Sequence, residues 1–288
     1  MPTVGALLAA VERRLEVRLP RDEAKGEARL LVAHCTGIDR LTQRLRPELA
    51  LDERVHTAAL QLAAQRAAGA PMAYLVGSRE FWGLPFSVGP GVLVPRPDSE
   101  TLIEAALAHL PQNQTARILD LGTGSGCLLL AILHERPEAK GLGIDQSAEA
   151  LAYAERNARA LGLDGRATFR LGDWWDGVEG CFDLVLSNPP YIVRAVIDGL
   201  MPEVRDHEPR AALDGGTDGL DAYRRLFRGL AAHLAPGGLA LFELGFDQGP
   251  TLLAMAAAHG FSGCSLRQDL TGHDRCLVIP GADAPTVI

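Results

Sequence analysis

Apolar positions change their period along this chain. At the start Val4, Leu7, Leu8, Val11 and Leu15 recur at helical spacing, one face of an amphipathic helix running to about Arg18. A second helix is predicted over 21–36, with Ala28, Leu31, Val32 and Cys35 inward and Gly37 as its stop, and a third over 52–68, stopped by Gly69. The three predict a small helical bundle. From Ser78 to Pro97 the helical period disappears. Phe81-Trp82-Gly83-Leu84-Pro85-Phe86, then Val92-Leu93-Val94 around Gly89-Pro90-Gly91, predict a strand, a turn and a strand, a β-hairpin that links two domains.

Beyond the hairpin, strands and helices alternate, the pattern of a parallel sheet covered on both faces. The expected strands are 117–121, 141–145, 167–171, 182–187 and 238–244, closed by a pair at 263–268 and 275–280. That last pair has no long helix between its members, so it should form a hairpin and put one antiparallel strand into a seven-stranded α/β sheet. The domains follow as a helical unit over 1–84, with the linking hairpin beginning near 80, and a sheet domain over 85–288.

Composition narrows what such a chain can do. With 288 residues, 47% of them hydrophobic and 22% charged, it can build two cores without staples. A formal net charge of −8 argues against a nucleic-acid partner, which would need Lys and Arg gathered on one face. Cys35, Cys127, Cys181, Cys264 and Cys276 are odd in number and form no C-x-x-C pair, so neither a disulfide frame nor a zinc ribbon is indicated, and a reducing cytoplasm fits. The apolar run 4–11 lacks a basic flank and passes into Glu12-Arg13-Arg14, so it reads as an amphipathic helix and not as a signal peptide, and no membrane span is expected.

Candidate chemistry begins at Asp120-Leu121-Gly122-Thr123-Gly124-Ser125-Gly126, between the first sheet strand and a helix. Glycines there let the backbone turn sharply and approach a ligand closely. The spacing is G-x-G-x-G, and position 127, where a dinucleotide fingerprint has its third glycine, is Cys, so a pyrophosphate is disfavoured. Asp145, closing the second strand about twenty residues on, can accept the two hydroxyls of an adenosine ribose. Gly172-Asp173-Trp174, beyond the third strand, can offer a short acid and a ring to an adenine, although Trp174 and Trp175, each taken singly, read as packing before ligand contact.

Asn188-Pro189-Pro190-Tyr191 follows the buried run 182–187 and so stands at the C-terminal edge of the sheet, where open α/β folds bind ligands. An amide nitrogen is a poor nucleophile, because its lone pair is delocalised, and must be held and aimed. The Asn188 side-chain oxygen and the Pro189 carbonyl can each accept one N–H of a primary amide, and two prolines hold those acceptors in place. Tyr191 can stack on the amide plane and exclude water. No general base is conspicuous, and none is required, since the nitrogen becomes acidic once alkylation begins.

Taken together, Asp120–Gly126, Asp145 and Asn188–Tyr191 resemble the class I methyltransferase set. With Arg79-Glu80-Phe81-Trp82, Pro95-Arg96-Pro97-Asp98-Ser99-Glu100, His207-Glu208-Pro209, Asp214-Gly215-Gly216-Thr217-Asp218-Gly219 and the closing Asp269, Gly272, Asp274 and Arg275, the chain resembles the release-factor glutamine methyltransferases of the HemK/PrmC family over nearly its whole length. The resemblance implies a Rossmann-like sheet and S-adenosyl-L-methionine as methyl donor. It further implies that Asp120, Gly122, Thr123, Gly124, Ser125, Gly126, Asp145 and Trp174 line the cofactor, together with Asn188. Asn188, Pro189, Pro190 and Tyr191 would then hold the glutamine of a Gly-Gly-Gln motif in peptide chain release factors. The helical domain is expected to dock that substrate, with the enzyme a cytoplasmic monomer acting in translation termination.

Two alternatives share the Asn-Pro-Pro-Tyr loop. One is glutamine methylation of a ribosomal protein, against which Pro95–Asp98 favours the release-factor branch. The other is methylation of an exocyclic base amine in DNA after base flipping, disfavoured by the acidic charge. Other landmarks have plainer readings. Asp98 should cap a helix over 99–110; 214–219 is either a substrate cover or a glycine turn; His273 and Cys276 lack further ligands, so no metal is expected. Glu243 ends the fifth strand with no role assigned.

Overall fold

The structure, a computed structural model, describes residues 1–282. It divides into two compact units, Met1–Ser78 with Met201–His207, and Arg79–Leu200 with the chain from Glu208 onward.

The helical unit holds α1 (Val4–Leu15), α2 (Arg21–Thr36), α3 (Arg40–Leu45), α4 (Glu53–Ala67) and α5 (Met72–Val76). Thr3, Asp39 and Asp52 cap α1, α3 and α4 by accepting from backbone amides of the first turn. Gly37 closes α2 at φ 71°, a left-handed position that suits glycine. Val4, Leu7, Val11 and Leu15 of α1 meet Ala24, Ala28, Leu31 and Val32 of α2 and Ala59 and Ala63 of α4, the small alanines allowing close helix approach. The predicted 21–36 helix is reproduced and the other two are shorter by up to three residues. Neither α3 nor α5 was anticipated, because six and five residues are too few to display a period.

Later in the chain, 201–207 joins this unit and carries the short α9 (Pro202–Arg205). Arg66, 3% exposed, donates to both carboxylate oxygens of Glu27 at 2.7 and 2.9 Å and also to Glu203.

The sheet unit opens on a hairpin of β1 (Ser78–Phe81) and β2 (Leu84–Ser87), turned by Trp82 and Gly83 at φ 53° and 68°. Positive φ at both central residues is the tight hairpin geometry. Trp82 tolerates it because its backbone N–H donates to Glu100 at 2.9 Å and its ring N–H to Glu135 at 3.0 Å. The expected second strand at Val92-Leu93-Val94 does not form. Gly91 lies so close to Glu149 that a Cβ would fall 2.2 Å from its carboxyl carbon, and the segment runs along a cleft instead of pairing.

The remaining elements are α6 (Glu100–His109), β3 (Arg117–Leu121), α7 (Cys127–Glu135), β4 (Lys140–Asp145), α8 (Ala148–Ala160), β5 (Ala167–Leu171), β6 (Phe182–Ser187), α10 (Asp221–His233), β7 (Leu234–Glu243), α11 (Gly249–Ala258), β8 (Ser265–Gln268) and β9 (Asp274–Pro280). The seven sheet strands run in the order β5-β4-β3-β6-β7-β9-β8, with β9 antiparallel to both neighbours, as expected. Alternation along each strand sorts the core: Ile118, Leu184, Leu186, Leu239 and Leu241 face α6 and α7, while Leu119, Val185, Ala240 and Phe242 face α10 and α11. From β3 the chain winds outward one way and from β6 the other, so the crevice between their C-terminal ends is the switch point where ligands bind.

Asp98 does not cap α6. It falls inside a 3₁₀ turn, Pro97–Ser99, which leads into the helix without a side-chain cap, and its carboxylate instead faces Arg275 at 3.4 Å.

Candidate active site

A cleft of about 390 Å³ opens at the switch point, entirely within the sheet unit, a size suited to a small-molecule ligand. Its floor is the loop after β3. Gly122 and Thr123 donate to the Ile144 carbonyl at 2.8 and 3.0 Å, and Gly122, Gly124 and Gly126 take φ 73°, 56° and 80°. A Cβ on Gly124 would meet only Val92 across the cleft, at 3.8 Å, so the backbone itself faces open space. Thr123 and Ser125 line this floor, while Gly126 opens α7 behind it.

Asp120 lies beneath, 1% exposed. One oxygen accepts from the Thr123 hydroxyl at 2.7 Å and the other has no hydrogen-bond partner among the described residues. Burial pushes its carboxyl up to about 7, with the nearby Asp145 adding to the shift. Asp145 ends β4 and accepts from Gly124 N–H and Ser147 N–H, one on each oxygen, both at 2.9 Å. Burial raises it too. Each oxygen keeps a lone pair for a diol. Trp174, held at φ 55°, lines the wall after β5. Trp175 stacks on His233 at 5.1 Å and donates to the Arg225 carbonyl, a packing residue as expected. Asp173 lines the cleft and pairs with Arg225.

The fourth wall comes from β6. Ser187 donates to the Leu121 carbonyl at 2.7 Å, tying the ends of β6 and β3 together. Asn188 and Pro190 line the cleft, whereas Pro189 is buried just behind it. The Asn188 amide donates to the Ser99 hydroxyl at 3.2 Å, and the Tyr191 hydroxyl donates to Glu243 at 3.2 Å. The Asp214–Gly219 stretch proves to be a splint for this loop. Ile192 donates to Leu213, Gly215 to Ile192 and Arg194 to Gly216, at 2.8–3.0 Å. A Cβ on Gly215 would sit 2.9 Å from the Pro190 carbonyl, so only glycine permits this approach.

Several contributors escaped the sequence reading. Ser99 lines the cleft and also donates to Glu243. Gln248 bridges the carbonyls of Tyr191 and Gly219 while accepting from Gly245. Glu208 accepts from Val94 N–H at 3.3 Å and from Arg96 at 2.6 Å, holding the cleft's edge. Ser99, within Pro95–Glu100, and Glu208, within His207-Glu208-Pro209, lay in stretches already singled out but without these roles, and Gln248 carried no signal at all. Glu243 is 1% exposed, and its burial pushes the carboxyl up to about 7 against the pull of Ser99, Arg275 and Tyr191.

These residues fit a nucleoside that carries a positive charge. Asp145 can take a ribose diol, the open face of Gly124 admits close approach, and the unpartnered oxygen of Asp120 suits a cationic group. Residues 98–201 match the methyltransferase small domain family and residues 6–77 the PrmC N-terminal domain family. The release factor glutamine methyltransferase of Cereibacter sphaeroides is 47% identical over 277 residues, covering 96% of this chain and 97% of that protein. That of Caulobacter vibrioides is 42% identical, covering 96% and 95%. Among solved structures, the Thermus thermophilus 16S rRNA N2 G1207 methyltransferase, in complex with AdoMet and guanosine, shares the fold at a TM-score of 0.52 and 21% identity over 71% of this chain and 49% of that one. A glycine-floored cleft with Asn188 and Pro190 in its wall and identity that runs nearly end to end make this chain a member of the release factor glutamine methyltransferase family.

Proposed function

We propose that this protein transfers a methyl group from S-adenosyl-L-methionine to the side-chain amide nitrogen of the glutamine in the Gly-Gly-Gln motif of peptide chain release factors. The observation that carries the reading is the position of Asn188, which lines the same cleft as the glycine loop and Asp145. When bound, S-adenosyl-L-methionine would supply an electrophilic methyl carbon on a sulfonium: the glutamine nitrogen would take that methyl as the carbon–sulfur bond breaks, the neutral thioether S-adenosylhomocysteine would leave, and the surplus proton on nitrogen would pass to an acceptor or to water.

Asp145, Gly122–Gly126 and Trp174 hold the nucleoside, and Asp120 balances its charge. The Asn188 side-chain oxygen and the Pro189 carbonyl each accept one N–H of the glutamine amide, and they bind more strongly as positive charge grows on that nitrogen. The buried Pro189 and the bonded Tyr191 keep this acceptor pair rigid, so little of the barrier is spent on orientation. The helical unit docks the release factor, and the enzyme acts as a cytoplasmic monomer without nucleic acid or membrane. No helix among the described residues is long and apolar enough to cross a membrane.

The test is mass spectrometry of a purified release factor incubated with this protein and S-adenosyl-L-methionine, with fragmentation to locate any added methyl. One methyl on the Gly-Gly-Gln glutamine is expected. A methyl that enters a ribosomal protein or DNA instead would overturn the substrate.

A further inference from the structure

Register places Asn188 and Glu243 side by side. Ser187 pairs with Phe242 across β6 and β7, so Asn188, just beyond β6, and Glu243, the last residue of β7, stand at the same edge of the sheet. Ser99, 2% exposed, sits between them: its hydroxyl donates to Glu243 and accepts from the Asn188 amide NH₂ at 3.2 Å. An ionised carboxylate can only accept, so the single hydroxyl proton of Ser99 is committed to Glu243 and its lone pairs can only receive. The Asn188 amide is thereby forced to turn its NH₂ toward Ser99, which leaves its oxygen for the cleft. The Tyr191 hydroxyl is committed to the other Glu243 oxygen in the same way.

We propose that Glu243 is a positioning residue for methyl transfer, setting through Ser99 which face of the Asn188 amide meets the substrate. This rests on the reading of Asn188 as the glutamine clamp. Were Glu243 protonated, it could donate to Ser99, freeing that hydroxyl to donate to the Asn188 oxygen. The amide would then flip and offer two hydrogens to a substrate amide that itself needs acceptors. The groups around Glu243 allow its ionised state to be lost near neutrality. Arg275 stabilises it and Asp98 opposes it. Tyr191 and Tyr223, and the thiols of Cys127 and Cys276, are all pushed upward by burial, with the Glu243 charge adding to each shift, and so remain neutral. The Glu243 carboxyl itself stands at about 7.

The wild-type enzyme should therefore lose kcat as the pH falls through about 7, without a matching change in affinity for S-adenosyl-L-methionine. Glu243→Gln, which can face Ser99 with either end of its amide, should lower kcat about tenfold or more and abolish that acid limb, as expected when a charged hydrogen-bond acceptor is removed. Ser99→Ala should do the same, Ser99→Thr should restore both kcat and the limb, and the Ser99→Ala/Glu243→Gln pair should be no worse than either alone. Cofactor affinity by calorimetry shows that each variant is folded, and the Ser99 pair decides the matter if Glu243→Gln does not fold. Asn188→Ala, run in parallel, separates the two readings. If it loses turnover while Ser99→Ala keeps wild-type kcat and its acid limb, the relay is overturned and the clamp stands; if Asn188→Ala keeps full turnover, the clamp itself falls.

Discussion

Arg66 in the helical unit and Glu243 in the sheet unit are both ionisable side chains almost wholly out of water, at 3% and 1% exposure. Their surroundings differ. Burial by itself would lower the Arg66 guanidinium, but Glu27 and Glu203 more than offset it and hold it above its ordinary value, permanently charged. Glu243 has hydroxyls for direct partners and only a more distant Arg275, and Asp120 has one threonine hydroxyl; both are driven up to about 7. Full pairing makes a buried charge a fastener, whereas incomplete pairing leaves a group whose state can respond to a ligand. The helical unit uses the first arrangement and the cleft uses the second.

The largest effect should come from unmaking the fastener. Arg66→Met removes one side of a buried network and should cost the helical unit about 3 kcal/mol, the low end for breaking such pairs because Glu27 and Glu203 keep some solvent. Adding Glu27→Gln and Glu203→Gln should recover much of it, as followed by denaturant unfolding. Unchanged stability in Arg66→Met would erase the contrast. In the cleft, Asn188→Ala should lower turnover by roughly two orders of magnitude while leaving calorimetric affinity for S-adenosyl-L-methionine nearly intact. Parallel losses in both would show that Asn188 serves cofactor binding instead.

Asp145→Ala should do the reverse, weakening cofactor affinity by about 1.5–3 kcal/mol if its bonds to the ribose are charge-assisted. Unaltered affinity would remove Asp145 from the ribose site. The smallest effect is a pH slope. An acid raised from 3.8 to about 7 binds more protons folded than unfolded between those values, so Asp120 lowers stability as pH rises through that window. Asp120→Asn should flatten the stability curve there by at most about 1.4 kcal/mol per pH unit, measured on the ligand-free protein. An identical slope in both proteins would show that Asp120 is not held neutral.

What the sequence made legible is what repeats locally. Strand alternation, the glycine loop and the Asn-Pro-Pro-Tyr turn each lie within a few consecutive residues, and the seven strands and the lining of the cleft by Gly122, Asp145, Trp174 and Asn188 follow from them. What stayed hidden depends on partners far apart in the chain. Nothing near Ser99 announces that it sits between Asn188 and Glu243, 89 and 144 residues away. Trp82 at positive φ is a poor local choice, and the two distant glutamates that hold it carry no pattern. Asp98 matched a capping rule, yet the 3₁₀ turn it stands in carried it to Arg275.

The return of 201–207 to the helical unit also sets an order of events during synthesis. Glu203 lies 137 residues after Arg66, so a ribosome adding roughly 5–20 residues per second needs about 7–27 s to supply it. Until then the first-made part of the chain holds a guanidinium that only Glu27 has met. The N-terminal helices can assemble early, but their last charged partner arrives only after the chain has passed through Asn188–Tyr191, and an excised fragment ending at 84 would never receive it.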